Sequence, residues 1–295
     1  MTIPNTVPPA KREILEQITT TLTQTPGVVA VVLGGSYARG TQHAASDLDI
    51  GIYYNEATPF AIADIKQIAN AVAVEPNPVV TNFYEWGAWV NGGAWIDTKV
   101  GKVDFLYRNL DHVQRTLDEA HQGLFHHDYN QQPAYGFYSM IYLAETQICL
   151  PLSDPAGRIA NLKRQVVNYP PKLKQRVVGD CLWSAEFTLA HARSFADKGD
   201  VYNTVGCLTR MAANLTQVLF ALNERYFMSD KRVMEALAAF AVLPPGYIER
   251  VQGSLAHPGA TADELKQTVA QMEAAWQSVA DCARDLYQPK FILKK

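Results

Sequence analysis

Two kinds of hydrophobic spacing divide this chain. In the first part, short apolar runs of strand length alternate with segments of helical period; from Asp111 onward the period is helical. Residues 28–33 form a β-branched run closed by Gly34-Gly35-Ser36, and residues 48–54 form a second apolar run. Ile14, Ile18 and Leu22 recur at i, i+4 and i+8, which predicts a helix over 10–25 that follows Pro8-Pro9 and ends at Pro26-Gly27. Thr58-Pro59 predicts the start of another helix over 61–72. Residues 95–100 and 103–108, separated by Gly101-Lys102, predict a hairpin, and 79–86 predicts an intervening strand. The expected fold class is α+β, a mixed twisted sheet with helices on one face, followed by an all-α bundle.

The second part opens with a linking helix over 111–121. The polar stretch 126–133, ending in Pro133, predicts a domain boundary, so the expected domains are 1–125 and 126–295. Helices follow over 137–149, 154–168, 172–198, 201–226, 230–241, 245–256 and 262–287. Gly199-Asp200 supplies a C-cap and an N-cap between the two long ones, and Thr261-Ala262-Asp263-Glu264 reads as a capping box.

Composition narrows the class. A 48% hydrophobic and 19% charged content over 295 residues is that of a globular chain. A net charge of −3 without a basic stripe argues against a nucleic-acid partner. Cys149, Cys181, Cys207 and Cys282 are widely spaced, which favours reduced core thiols over disulfides or zinc. The N-terminus lacks the pattern of a signal peptide and no apolar run has membrane-spanning length, so the expected location is cytoplasmic, with no membrane partner.

The chemistry gathers between Leu33 and Tyr54. A strand that ends in Gly34-Gly35-Ser36 and turns into a helix is built like a phosphate-binding turn: glycine lets the backbone approach a ligand, and the first helical N–H groups are unpaired. On the next strand Asp47 and Asp49 are two apart and share a face, roughly 6–7 Å from each other. Paired carboxylates repel, and a divalent cation is the natural partner. Asp104 is the expected third carboxylate, and Asp97 on the partner strand of its hairpin is the alternative. Ser36 and Arg39 are candidates for the phosphates, and Ser46 either buttresses Asp47 or caps a turn. His43, His126 and His127 lack a third ligand at helical spacing and read as loop residues.

Gly34-Gly35-Ser36, ten residues, then Asp47-Leu48-Asp49 resembles the signature of the DNA polymerase beta-like nucleotidyltransferase superfamily. Gly40 and Ser46 also fit its small bacterial members, and Asp104 in Val103-Asp104-Phe105 matches the third acidic position. The C-terminal half is similar, more loosely, to the helical domains of aminoglycoside-type nucleotidyltransferases. The resemblance implies transfer of a nucleoside monophosphate from a nucleoside triphosphate, with ATP the expected donor, to a hydroxyl of a small molecule or protein. It implies two Mg²⁺ ions, or Mn²⁺, held by Asp47, Asp49 and Asp104, with Asp104 also a candidate proton acceptor. In the helical part, Arg210, Asn214, Gln217 and Glu224 form a polar stripe, and Glu186, Gln217 and Glu224 are expected to line an acceptor pocket. The alternative is a catalytically weak nucleotide-binding or protein-interaction module, of regulator or antitoxin-like kind. Either a monomer or a homodimer fits.

Overall fold

A computed structural model describes residues 3–132 and 134–291. In chain order the elements begin with α1 Pro9–Gln24, β1 Ala30–Leu33, α2 Gly35–Arg39, β2 Leu48–Tyr54, α3 Ile62–Val72 and β3 Val79–Val80. Then come β4 Gly93–Thr98, β5 Gly101–Asn109, α4 Leu110–Gln122, β6 His127–Asp128, β7 Phe137–Tyr138, α5 Met140–Ile148, β8 Leu150–Ser153 and α6 Arg158–Gln165. The remainder is helical: α7 Pro171–Asp197, α8 Val201–Leu222, α9 Val233–Ala238, α10 Tyr247–Ala256 and α11 Ala262–Ala283.

The chain divides into two compact units, residues 1–118 with 141–167, and residues 119–140 with 168–295. A single boundary at 125/126 is therefore replaced by a chain that leaves the first unit and returns to it. The reason is β8, which pairs antiparallel with β1 through Leu33↔Leu150 and Val32↔Pro151 and closes that edge. Pro133, expected to mark the boundary, lies outside the described residues.

The first unit is built on a mixed six-stranded sheet in the order β3-β4-β5-β2-β1-β8, in which β2 and β5 run parallel. Alternate residues face opposite sides. Leu48, Ile50 and Ile52 of β2 and Val103 and Phe105 of β5 are fully buried in one core with Leu15, Ile18 and Leu22 of α1 and Ile65 of α3. The intervening residues, Asp49 and Gly51 on β2 and Asp104, Leu106 and Arg108 on β5, belong to the second face. Near its far end that face is covered by α5: Glu145 takes two 2.8 Å hydrogen bonds from Arg108, whose guanidinium also lies 5.4 Å from the Tyr142 ring centroid. Burial alone would lower the Arg108 pKa, but the Glu145 carboxylate more than offsets it and holds the guanidinium charged.

Two expectations in this unit change. The strand over 79–86 shrinks to β3, because Phe83 joins Tyr54, Phe60 and Tyr107 in a cluster of rings instead of continuing a ladder. The hairpin turn falls on Lys99-Val100, with Thr98 paired to Gly101; the Thr98 hydroxyl accepts from the Val100 N–H and bonds the Gly101 carbonyl, so a side chain closes the turn.

The second unit is organised by α7, α8 and α11, with Leu182, Leu215 and Met272 completely buried. Asp200 caps α8 by accepting the Asn203 N–H, and both reciprocal bonds of the Thr261–Glu264 capping box are present. Helix α8 is long and apolar enough to cross a membrane by length and composition, against the sequence expectation, but 61% of its apolar window is buried within the protein. It has the burial of a core helix.

Candidate active site

The open end of the second sheet face is organised as one row of residues in register. On β2 and β5, Asp49 pairs with Asp104; on β5 and β4, Asp104 pairs with Trp95; on β4 and β3, Trp95 pairs with Val79. At the other end the Gly34 N–H donates to the Asp49 carbonyl at 2.8 Å. Gly34, Asp49, Asp104, Trp95 and Val79 thus cross the sheet in a line. Asp47, Asp49 and Asp104 are each half-buried. Asp97 is exposed, pairs with Lys102 and lies off the row, so Asp104 is the carboxylate beside Asp49.

The glycine turn is shaped around Asp49. Gly35 has φ +57°, and a methyl group added there would stand 1.7 Å from the Asp49 Oδ2. Only glycine brings this backbone so close to that carboxylate at such a φ. The first helical hydrogen bond of α2 is Ala38 N–H to Gly34 O, so the N–H groups of Gly35, Ser36 and Tyr37 precede the ladder. Gly35→Ala is expected to cost about 1–3 kcal/mol of stability from the strained φ and the clash, which thermal melting of the variant measures.

Ser46 is buried and spends its hydroxyl on the turn, accepting the His43 N–H at 2.9 Å, while His43 Nδ1 accepts the Ala45 N–H. Of the roles open to Ser46, the turn is the one its contacts fill, and His43 serves the same loop. Arg39 is exposed in the last turn of α2. His126 and His127 belong to the second unit, where they contact Glu119 and the Tyr135 carbonyl.

Lys11 was not among the expected site residues. It is buried, donates to the Ser46 carbonyl just before Asp47, and places its ammonium 5.4 Å from the Tyr37 ring centroid in α2. The signal was present in the helical period, since Lys11 precedes Ile14 by three on the apolar face of α1.

Two of the expected acceptor residues, Glu186 and Glu224, have other work. Glu186 is fully buried, and its carboxylate accepts from the Tyr287 hydroxyl, the Lys290 N–H at 3.0 Å and the Phe291 N–H at 2.7 Å. It fastens the end of the chain to α7, which corrects its assignment to a pocket wall. Helix α8 ends at Leu222, so Glu224, at φ +53°, stands outside the helical stripe and is paired with Lys174 at 2.9 Å. Gln217 is buried in α8, with an Oε1 that has no hydrogen-bond partner among the described residues.

Among the described residues, no three His, Cys, Asp or Glu side chains form a group that could enclose a metal ion. Mg²⁺ commonly takes one or two carboxylates and completes its shell with water and substrate phosphate oxygens. The Asp49–Asp104 pair, with a glycine turn against it, suits an ion that arrives with a triphosphate.

Two spans of the chain match known families. Residues 13–88 match the model of the nucleotidyltransferase domain family, a span that contains Gly34, Gly35, Ser36, Asp47 and Asp49 and stops before Asp104. Residues 141–231 match a domain of unknown function (DUF4037), largely helical here. None of the curated proteins compared with the chain matches it. Among solved structures, a nucleotidyltransferase-like protein from Exiguobacterium sibiricum aligns over 93% of this chain and 77% of its own, with 9% identity and a TM-score of 0.49. Residues 13–88 thus match a nucleotidyltransferase domain of the DNA polymerase beta-like superfamily, and that span carries the glycine turn, Asp47 and one aspartate of the row, Asp49.

Proposed function

We propose that the protein is a metal-dependent nucleotidyltransferase that moves a nucleoside monophosphate from a triphosphate, with ATP as donor, to a hydroxyl group of a small molecule or protein. The observation that carries this reading is the register of Asp49 with Asp104, beside a glycine turn with no room for a side chain.

In the reaction, the acceptor oxygen bonds to the α-phosphorus, the bond from that phosphorus to the pyrophosphate oxygen breaks, and the hydroxyl proton leaves to a base. Positioning and charge neutralisation supply most of the catalysis. The Gly35 and Ser36 N–H groups and the Ser36 hydroxyl would hold the β- and γ-phosphates, with Arg39 as an additional cation. Asp49 and Asp104, together with substrate phosphate oxygens, would hold Mg²⁺ or Mn²⁺, with Asp47 at the entry to β2 as a further carboxylate, and the ion would neutralise charge at the attacking and departing oxygens. Asp104, on the side of Asp49 away from the glycine turn, would accept the acceptor's proton. Lys11 fixes the Ser46 carbonyl and so the entry to β2; it acts as a positioning residue.

Calorimetric titration of ATP and the other triphosphates, with Mg²⁺ and then with EDTA, tests the reading. Saturable binding that requires the metal is the expected result, and the tightest triphosphate is the donor. No binding of any triphosphate in Mg²⁺ would sink the mechanism. Metal-dependent binding with no pyrophosphate release, over a wide range of hydroxyl compounds, would assign the chain to the binding-module class.

A further inference from the structure

We propose that Trp95, with Trp86 stacked on it, is the acceptor subsite, a flat platform for an aromatic ring carried by the acceptor next to its reacting hydroxyl. This rests on the nucleotidyl-transfer reading and names its acceptor class. Trp95 follows Asp104 in the register row and is 56% exposed; its own neighbour Val79 is 53% exposed. The row therefore runs from a glycine turn through two carboxylates to an apolar surface that the chain leaves open.

The platform is held in place. The Trp86 and Trp95 ring centroids are 4.7 Å apart with planes at 24°. Gly93, two residues before Trp95 on β4, admits no side chain: a Cβ there would stand 1.8 Å from the Phe105 carbonyl oxygen and 3.2 Å from the Trp86 Cζ3, so β4 packs closely beneath the Trp86 ring. An indole braced by a second ring loses little freedom when a third ring stacks on it, and aromatic stacking favours offset planar faces.

In-line geometry decides which part of the reaction meets this surface. Entering and leaving oxygens lie on opposite sides of the α-phosphorus. If the pyrophosphate rests on the turn at Gly34–Ser36, the entering hydroxyl comes from the opposite end of the row, past Asp104, where Trp95 lies. The nucleoside is a lateral substituent on that axis and leaves the row sideways. The ring beside Trp95 is then the acceptor's.

Indole fluorescence provides the test, with 4-nitrobenzyl alcohol as a flat-ring probe that quenches on stacking and 1-butanol as a ringless hydroxyl control. Wild type, Trp95→Ala and Trp95→Phe would be titrated, each also with MgATP by calorimetry. Saturable quenching by 4-nitrobenzyl alcohol only is expected in wild type. Apparent affinity should weaken ~10-fold in Trp95→Ala and return to within about 3-fold in Trp95→Phe, consistent with one lost ring contact. MgATP affinity should change less than about 2-fold. Equal quenching curves in wild type and Trp95→Ala would overturn the proposal. So would a tenfold loss of MgATP affinity in Trp95→Ala, which would put the nucleobase on the platform. Failure of wild type to bind MgATP would instead remove the transfer reading and leave the ring titration to be judged by itself.

Discussion

Asp49→Asn is expected to lower nucleotidyl transfer by about 10³-fold, near 4 kcal/mol of transition-state stabilisation, the scale of losing one preorganised electrostatic contact. Asp49 is the hub of the row: its carbonyl receives the Gly34 N–H, Gly35 lies against its carboxylate and Asp104 is its register partner. Like charges on neighbouring strands repel, so the neutral amide should leave the thermal midpoint unchanged or raise it. The pair of readouts separates a site residue from a structural one. Pyrophosphate release from MgATP, with a small-molecule extract as acceptor pool, measures the first, and calorimetric melting the second. A variant that keeps more than a tenth of wild-type turnover, or that melts well below wild type with activity lost in proportion, would remove Asp49 from the mechanism.

The largest expected effect on stability is at Glu145. Its carboxylate is 25% exposed, whereas the Arg108 side chain it neutralises is 6% exposed and also donates to the Tyr107 carbonyl at 2.9 Å. Glu145→Gln leaves a buried guanidinium without its counter-charge. Breaking a buried pair from one side costs about 3–5 kcal/mol, and the partial exposure of Glu145 places this case near about 3. For a unit of this size the thermal midpoint should fall by roughly 6–12 °C. The double variant Arg108→Leu/Glu145→Leu should recover most of the loss, because it removes the stranded charge as well. A fall of less than about 0.5 kcal/mol in Glu145→Gln, read by denaturant unfolding, would show that the Tyr107 carbonyl and its neighbours already satisfy the arginine.

Much of this molecule is readable from residue order where periodicity and capping agree. The β2 strand coincides with its apolar run at 48–54, and α11 begins at its capping box. The misses have physical causes. Leu150-Pro151-Leu152-Ser153 is short and holds a proline, which only an edge strand tolerates, so β8 carries little strand signal despite completing the sheet. Alternation put Asp97 and Asp104 on strands and the stronger strand pattern favoured Asp104, but what sets Asp104 beside Asp49 is register, which is a property of two segments together. Glu186 looked like a pocket residue because polar positions on mostly buried helices resemble the wall of a pocket. Its partners are a tyrosine hydroxyl and two backbone N–H groups roughly a hundred positions later, which no local pattern announces.

The pairing of Leu33 with Leu150 also sets a schedule for the growing chain. On a ribosome adding roughly 5–20 residues per second, β1 is made and then waits several seconds for its edge partner. During that time the glycine turn and both carboxylate strands already exist, but one side of the sheet exposes unpaired N–H and C=O groups of the kind that recruit other strands. Helix α4 and the hairpin of β6 with β7 are translated in the interval, before the segment that seals the sheet. The nucleotidyltransferase unit should therefore gain protection from proteolysis only after residue 167 has emerged, and nascent chains stopped at residue 125 should be the aggregation-prone species.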